Sequence, residues 1–245
     1  MIAFWLPEPD VKSASEAKKS GKKVMTPAAW ILIAFFFIFN FFQFSMFTNM
    51  SLVIRAAELG TTALSGTVMS SITIATAAGA IAYGAFIKGR LGGFDLGIAV
   101  LGEAVGFFIL CNWITVTGYY VGAIVWGFFF GILNPALILQ CVKLVPKEGA
   151  TRALSILAAM QNLGQYLSAY VLAFLAGIFG VAGTAGTLAF QLSGWVVSAP
   201  ACVICGVALL AVFGILRARN PEIVAGLPEK KQPEMIEEKK EDEAS

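Results

Sequence analysis

In a chain this apolar, the side chains able to do chemistry are the few polar ones that interrupt long hydrophobic runs. Asn40, Gln43 and Phe47 follow one another at steps of three and four, so they share one face of a helix, with Phe36 and Phe44 beside them. Asn40 lies about 12 residues into its run, roughly 18 Å deep at a rise of about 1.5 Å per residue, close to the middle of a bilayer. Amides among phenylalanines suit the wall of a cavity for amphipathic or aromatic solutes, and they suit equally well hydrogen bonds that fix helix packing. A later run carries Gln161, Asn162, Gln165 and Ser168, of which Gln161, Gln165 and Ser168 fall on one face. This is the densest polar face in the chain, and Gln161 and Gln165 are read as lining a solute pathway. Asn134 precedes Pro135, with Gln140 beyond. The proline withholds a backbone donor and kinks a helix, so Asn134 and Pro135 are read as a gate element. Glu103 is the carboxylate deepest in any apolar run. An acid at such a depth is either a structural neutral group or a carrier of protons.

Other chemistries find no residues. The chain has no His, which removes the commonest metal ligand and general base. Cys111, Cys141, Cys202 and Cys205 sit in or at the ends of apolar runs. Cys202 and Cys205 form a single CxxC without a second pair, which reads as buried packing and not as a metal site. No nucleophile stands with a base, and Gly89, Gly92 and Gly93 lie between two apolar runs instead of between a strand and a helix. Neither enzymatic activity nor a bound cofactor is expected. The net charge is +2 with the basic residues in loops and tails, so nucleic acid is not an expected partner either. The Asn49-Met50-Ser51 sequon lies too close to the membrane to carry weight.

These residues must be positioned by membrane helices. Of the 245 residues 58% are hydrophobic and 13% charged, against about 25% charged in an average soluble domain. Apolar runs with turn or charge punctuation give six spans, at 28–51, 62–87, 94–113, 118–142, 152–178 and 190–216. Lys and Arg number five in the amino-terminal segment, two and three in the loops at Lys88 and Arg90 and at Lys143 to Arg152, and six in the tail. Arg55 alone falls on the other side. The positive-inside rule then places both ends in the cytoplasm of a cell whose inner membrane holds the chain.

Residues 1–27 read as the end of a preceding helix, stopped at Pro7-Glu8-Pro9, and a lysine-rich cytoplasmic linker. Residues 28–219 form the six-helix domain, and 220–245 read as a disordered, charged cytoplasmic tail. Small residues recur four apart, as in Gly66 with Ser70, Ala75 with Gly79, Gly102 with Gly106 and Gly127 with Gly131, which lets helices pack closely.

Four segments carry a family resemblance over about residues 1–220: the Pro7 to Lys23 exit and linker, the basic glycine loop Gly84-Ala-Phe-Ile-Lys-Gly-Arg-Leu-Gly92, the run Gly127 to Pro135, and Asn162-Leu-Gly-Gln-Tyr-Leu-Ser168. Together they resemble the carboxy-terminal six helices of a major facilitator superfamily transporter, most similar in texture to bacterial drug and small-solute efflux members coupled to protons. The resemblance implies an all-α membrane fold of two inverted three-helix repeats, forming one half of an alternating-access transporter. It implies that the first, second, fourth and fifth spans border the solute cavity, which agrees with Asn40, Gln43, Phe44, Phe47, Gln161 and Gln165 and counts against Glu103 as the main proton carrier. Lys88 stands where the family's fuller glycine loop has an aspartate, and the first six helices are missing. The expected partners are therefore a small amphipathic solute, the lipid bilayer, and either an amino-terminal six-helix half or a second copy of the chain. The expected function is proton-coupled efflux driven by the proton gradient, and the alternative is a non-transporting scaffold subunit or an inactive transporter fragment.

Overall fold

A computed structural model describes residues 25–88, 90–91, 93–181 and 187–219, with backbone only at 148, 216, 217 and 219. The expected linker before Met25, Gly89 and Gly92 of the basic loop, and the tail from Asn220 lie outside the described residues.

Seven α-helices make six membrane-length rods among the described residues, because the first rod is broken. They are α1 (Pro27–Gln43), α2 (Ser45–Ala56), α3 (Thr62–Ala82), α4 (Phe94–Asn112), α5 (Val116–Lys143), α6 (Ala150–Ile178) and α7 (Leu188–Arg219). A π turn over Tyr83–Ile87 extends α3, and a short 3-10 turn over Lys147–Gly149 precedes α6. Two helix starts are capped by threonine side chains. Thr26 accepts from the Ala29 amide at 3.2 Å and has Pro27 behind it, and Thr115 accepts from the Gly118 amide at 3.1 Å. The Thr26 hydroxyl also donates to the Leu144 carbonyl, pinning the start of the first rod to the end of the fourth.

The expectation of six apolar spans needs one correction. Five rods are long and apolar enough to cross a membrane, with α1 and α2 counted as one. The exception is α6, whose 29 residues suffice in length but include Thr151, Arg152, Ser155, Gln161, Asn162, Gln165 and Ser168. Its polarity sets it apart from the other five.

Close approach, not apolar burial, must hold such a bundle together, since lipid tails are as apolar as the side chains. The glycines do this work. A Cβ on Gly79 would lie 2.0 Å from the Phe128 carbonyl oxygen, and one on Gly131 would lie 2.1 Å from that of Thr76, so α3 and α5 touch backbone to backbone. Gly102 and Gly106 receive Phe129 and Trp126 of α5 in the same way. The core between the rods is aromatic, with Trp126, Trp195, Tyr119, Phe36, Phe39 and Phe107 fully buried. Helix α4 lies between α5 and α7, whereas α3 leans mainly on α5 and α6 mainly on α1, which leaves α3 and α6 each with a wide exposed face.

Gly131→Ala is expected to lower stability in detergent by about 1–3 kcal/mol, the usual cost of forcing atoms into a filled space. Gly66→Ala, where a Cβ would meet nothing within 4 Å, is expected to leave thermal unfolding unchanged.

Candidate functional site

The break in the first rod organises the polar groups. Phe44 separates α1 from α2, and its amide still reaches the Asn40 carbonyl at 3.1 Å, while the Phe47 amide turns to the Phe44 carbonyl at 3.0 Å in the tighter i to i+3 pattern. Carbonyls near the break are taken by side chains. Phe41 accepts from the Ser168 hydroxyl of α6 at 2.6 Å, Phe42 from the Ser45 hydroxyl at 2.7 Å, and Ser45 from the Trp195 indole of α7 at 2.9 Å. Around a membrane-helix interruption, neighbouring helices and hydroxyl side chains supply the partners that water cannot.

The first-rod residues divide into two groups. Asn40 is 2% exposed and donates to the Phe36 carbonyl at 2.8 Å, with Gly164 of α6 pressed against it. Gln43 is 5% exposed, and its amide nitrogen donates to both oxygens of Glu103, at 2.9 and 3.1 Å. Both amides are thus turned into the bundle and used there. Phe44 and Phe47 are half-buried and pack on one another with ring centroids 5.3 Å apart. Phe47 meets Trp126 edge-on at 5.4 Å and Phe130 at 6.0 Å, and Trp126 stacks on Phe130 at 4.9 Å. The result is an aromatic wall shared by the first and fourth rods. Behind it, among the described residues, the buried indole nitrogen of Trp126 and the hydroxyl of Tyr119 have no hydrogen-bond partner.

The second group is more open. Gln161 and Gln165 are half-buried on α6, Asn162 is exposed, and among the described residues neither glutamine side chain makes a hydrogen bond. Ser168, on the same helix face, is fully buried and spent on Phe41. Asn134 donates to the Phe130 carbonyl at 3.1 Å, one residue before Pro135, which has no amide hydrogen to offer Gly131. Pro135 lines a cleft of about 370 Å3 with Ala80, Tyr83, Gly84, Ile138 and Lys88, so Pro135 and the start of the basic loop meet there, while Asn134 does not line it. Arg90 is exposed nearby in the chain and does not line that cleft.

Glu103 is fully buried on α4, and Phe129 and Trp126 pack against the neighbouring Gly102 and Gly106. A second acid was missed in the sequence. Asp95 is 3% exposed in the first turn of α4, accepting from the Tyr83 hydroxyl at 3.0 Å and from the Leu96 amide at 3.1 Å. Its signal was an acidic residue directly after a glycine loop, where a helix N-terminus favours negative charge. Among the described residues no group of His, Cys, Asp and Glu could hold a metal ion, and all four cysteines are free thiols.

Tyr83→Phe removes one of the two donors to the buried Asp95 and is expected to cost about 1–3 kcal/mol. Thermal unfolding should fall less in Asp95→Asn, whose amide oxygen still accepts from Tyr83.

No curated protein matches the chain, and no solved structure does. The family model for the Major Facilitator Superfamily matches residues 1–169, more than half of the 245 residues. With membrane-length helices packed through glycines and polar groups held inside them, the chain belongs to the Major Facilitator Superfamily, a family of membrane solute transporters.

Proposed function

We propose that the chain is the carboxy-terminal six-helix half of a proton-coupled efflux transporter, moving a small amphipathic solute by alternating access against a second six-helix half. It sits in the inner membrane with both ends in the cytoplasm. The observation that carries this reading is the unpartnered amide face of α6, where Gln161 and Gln165 stand half-exposed in the most polar of the rods. Amides in a bilayer must face protein or water, so a water-filled path or a partner helix has to lie against them.

The exposed face of α3 supports a partner. It carries a stripe of Thr62, Gly66, Ser70, Thr73 and Ala77, continued by Gly84 of the π turn, small and hydroxyl-bearing residues suited to close helix contact, beside the exposed Ile74 and Ile81. The partner is an amino-terminal six-helix half or a second copy of the chain. The aromatic wall of Phe44, Phe47 and Phe130 then borders the path on one side and Gln161 with Gln165 on another. Asn134 and Pro135 serve as the gate above the cleft at Lys88. Glu103 remains a candidate proton carrier, and a further carrier is assigned to the partner half.

One observation favours the scaffold alternative. Asn40, Gln43 and Ser168 are consumed by hydrogen bonds within the bundle, as packing residues would be.

Replacing Gln161 and Gln165 together with Leu is expected to abolish solute transport in membrane vesicles while the protein remains folded and inserted. Unchanged transport in this double variant would remove the pathway assignment. Co-expression with the product of the adjoining upstream reading frame should yield a complex of two six-helix chains in mild detergent. A stable homodimer would assign the second half to another copy, and a lone monomer in both cases would favour the scaffold.

A further inference from the structure

We infer that Glu103, with Trp195, is a positioning group that holds the first rod broken at Phe44 and so aims Phe44 and Phe47. The role given to those two phenylalanines rests on the proposed function; the lock itself does not.

Five consecutive residues at the break, 41–45, are tied to three different rods. Gln43 is held by Glu103 of α4, the Ser45 carbonyl by the Trp195 indole of α7, and the Phe41 carbonyl by Ser168 of α6. The Ser45 and Ser198 hydroxyls lie 3.0 Å apart, and Ser198 in turn donates to the Gly194 carbonyl at 2.7 Å. The side chain of Phe44 is left half-exposed in the middle of this anchored segment, with Phe47 one turn further on.

The anchors are themselves fixed. Trp195, Ser198 and Glu103 are fully buried. Gly102 and Gly106 bring Phe129 and Trp126 directly against α4 on either side of Glu103, which fixes this stretch of α4 against α5. Among the described residues the Gln43 amide is the hydrogen-bond donor to that carboxyl group, and no cation pairs with it. With water excluded, the contact does not have to compete for its partners, and breaking it strands a polar group on each side. A lone carboxylate on α4 and a lone amide on α1 would each be costly at this depth; joined, they specify where the rod bends. The resemblance put α4 and α7 at the periphery of the bundle, away from solute. Their buried polar groups act through the first rod instead.

Amide hydrogen exchange of the full chain in lipid nanodiscs tests the lock, read over residues 41–48 and normalised to α4. Gln43→Leu and Glu103→Leu are expected to speed exchange at 41–48 on the order of tenfold, the effect of losing one buried hydrogen-bonded pair. The reciprocal pair Gln43→Glu with Glu103→Gln, which rebuilds an amide against a carboxyl group, should return exchange to the wild-type rate, and so should Glu103→Gln alone. Trp195→Phe, which deletes only the indole donor, keeps the test open where a Leu variant fails to fold. It should speed exchange at 45–49 alone. Unchanged exchange in Gln43→Leu and Trp195→Phe would overturn the lock, as would a reciprocal pair that exchanges as fast as the single Leu variants. Faster exchange with unaltered transport would leave the lock standing and remove the pathway role of Phe44 and Phe47.

Discussion

A backbone that crosses hydrocarbon cannot leave its polar groups unpaired, and the break at Phe44 and the turn that closes α3 are each met by a side chain or a turn. At Phe44 the answering groups are Ser45, Ser168 and Trp195. At Pro135 the neighbouring Asn134 folds its own amide back onto the helix. At the end of α3 the helix widens into a π turn, closed by the Lys88 amide on the Tyr83 carbonyl at 2.9 Å. The breaks fall where the rods bear polar or aromatic residues facing one another, so the departures from regular helix and the candidate site coincide.

The same demand explains the two textures of the bundle. Where glycines lie against a neighbour, as at Gly79, Gly106, Gly131 and Gly164, backbones and bulky side chains meet with no space left, and the interface between those rods is closed. Where small residues look outward, as at Gly66 and Gly84 on α3, nothing fills the space within 4 Å. The glycines are thus packed fully on one set of faces, while others leave Gly66 and Gly84 with nothing beside them. That division places α4 and α7 in the fixed body of the molecule and α3 and α6 at its open margins.

The residue types and spacings behind the candidate site are properties of the sequence alone. Gln161 and Gln165 stand on a helix face too polar for lipid, a matter of spacing along the helix, whereas Pro135 lies inside an α5 that runs unbroken from Val116 to Lys143. The amides of Asn40 and Gln43 share a helical stripe with Phe47, yet they turn inward while Phe44 and Phe47 remain half-exposed. The stripe was real, but which part of it faced the neighbours depended on the rotation of α1 about its axis. The break at Phe44 was invisible because it carries neither proline nor glycine. It is held by Trp195 and Glu103, residues far away in sequence.

The amino-acid sequence by itself determined that this is a helical membrane protein, since run length and hydropathy need no knowledge of neighbours. It also determined which residues could allow close packing and which could not remain in lipid. Only the tertiary structure decided how those residues were spent: Gln43 on a carboxyl group sixty residues away, Gly131 on a carbonyl of α3, Gly66 on nothing. The physical reason is that helix rotation and pairing are set by the sum of many weak contacts and a few buried hydrogen bonds. No single periodicity encodes that sum.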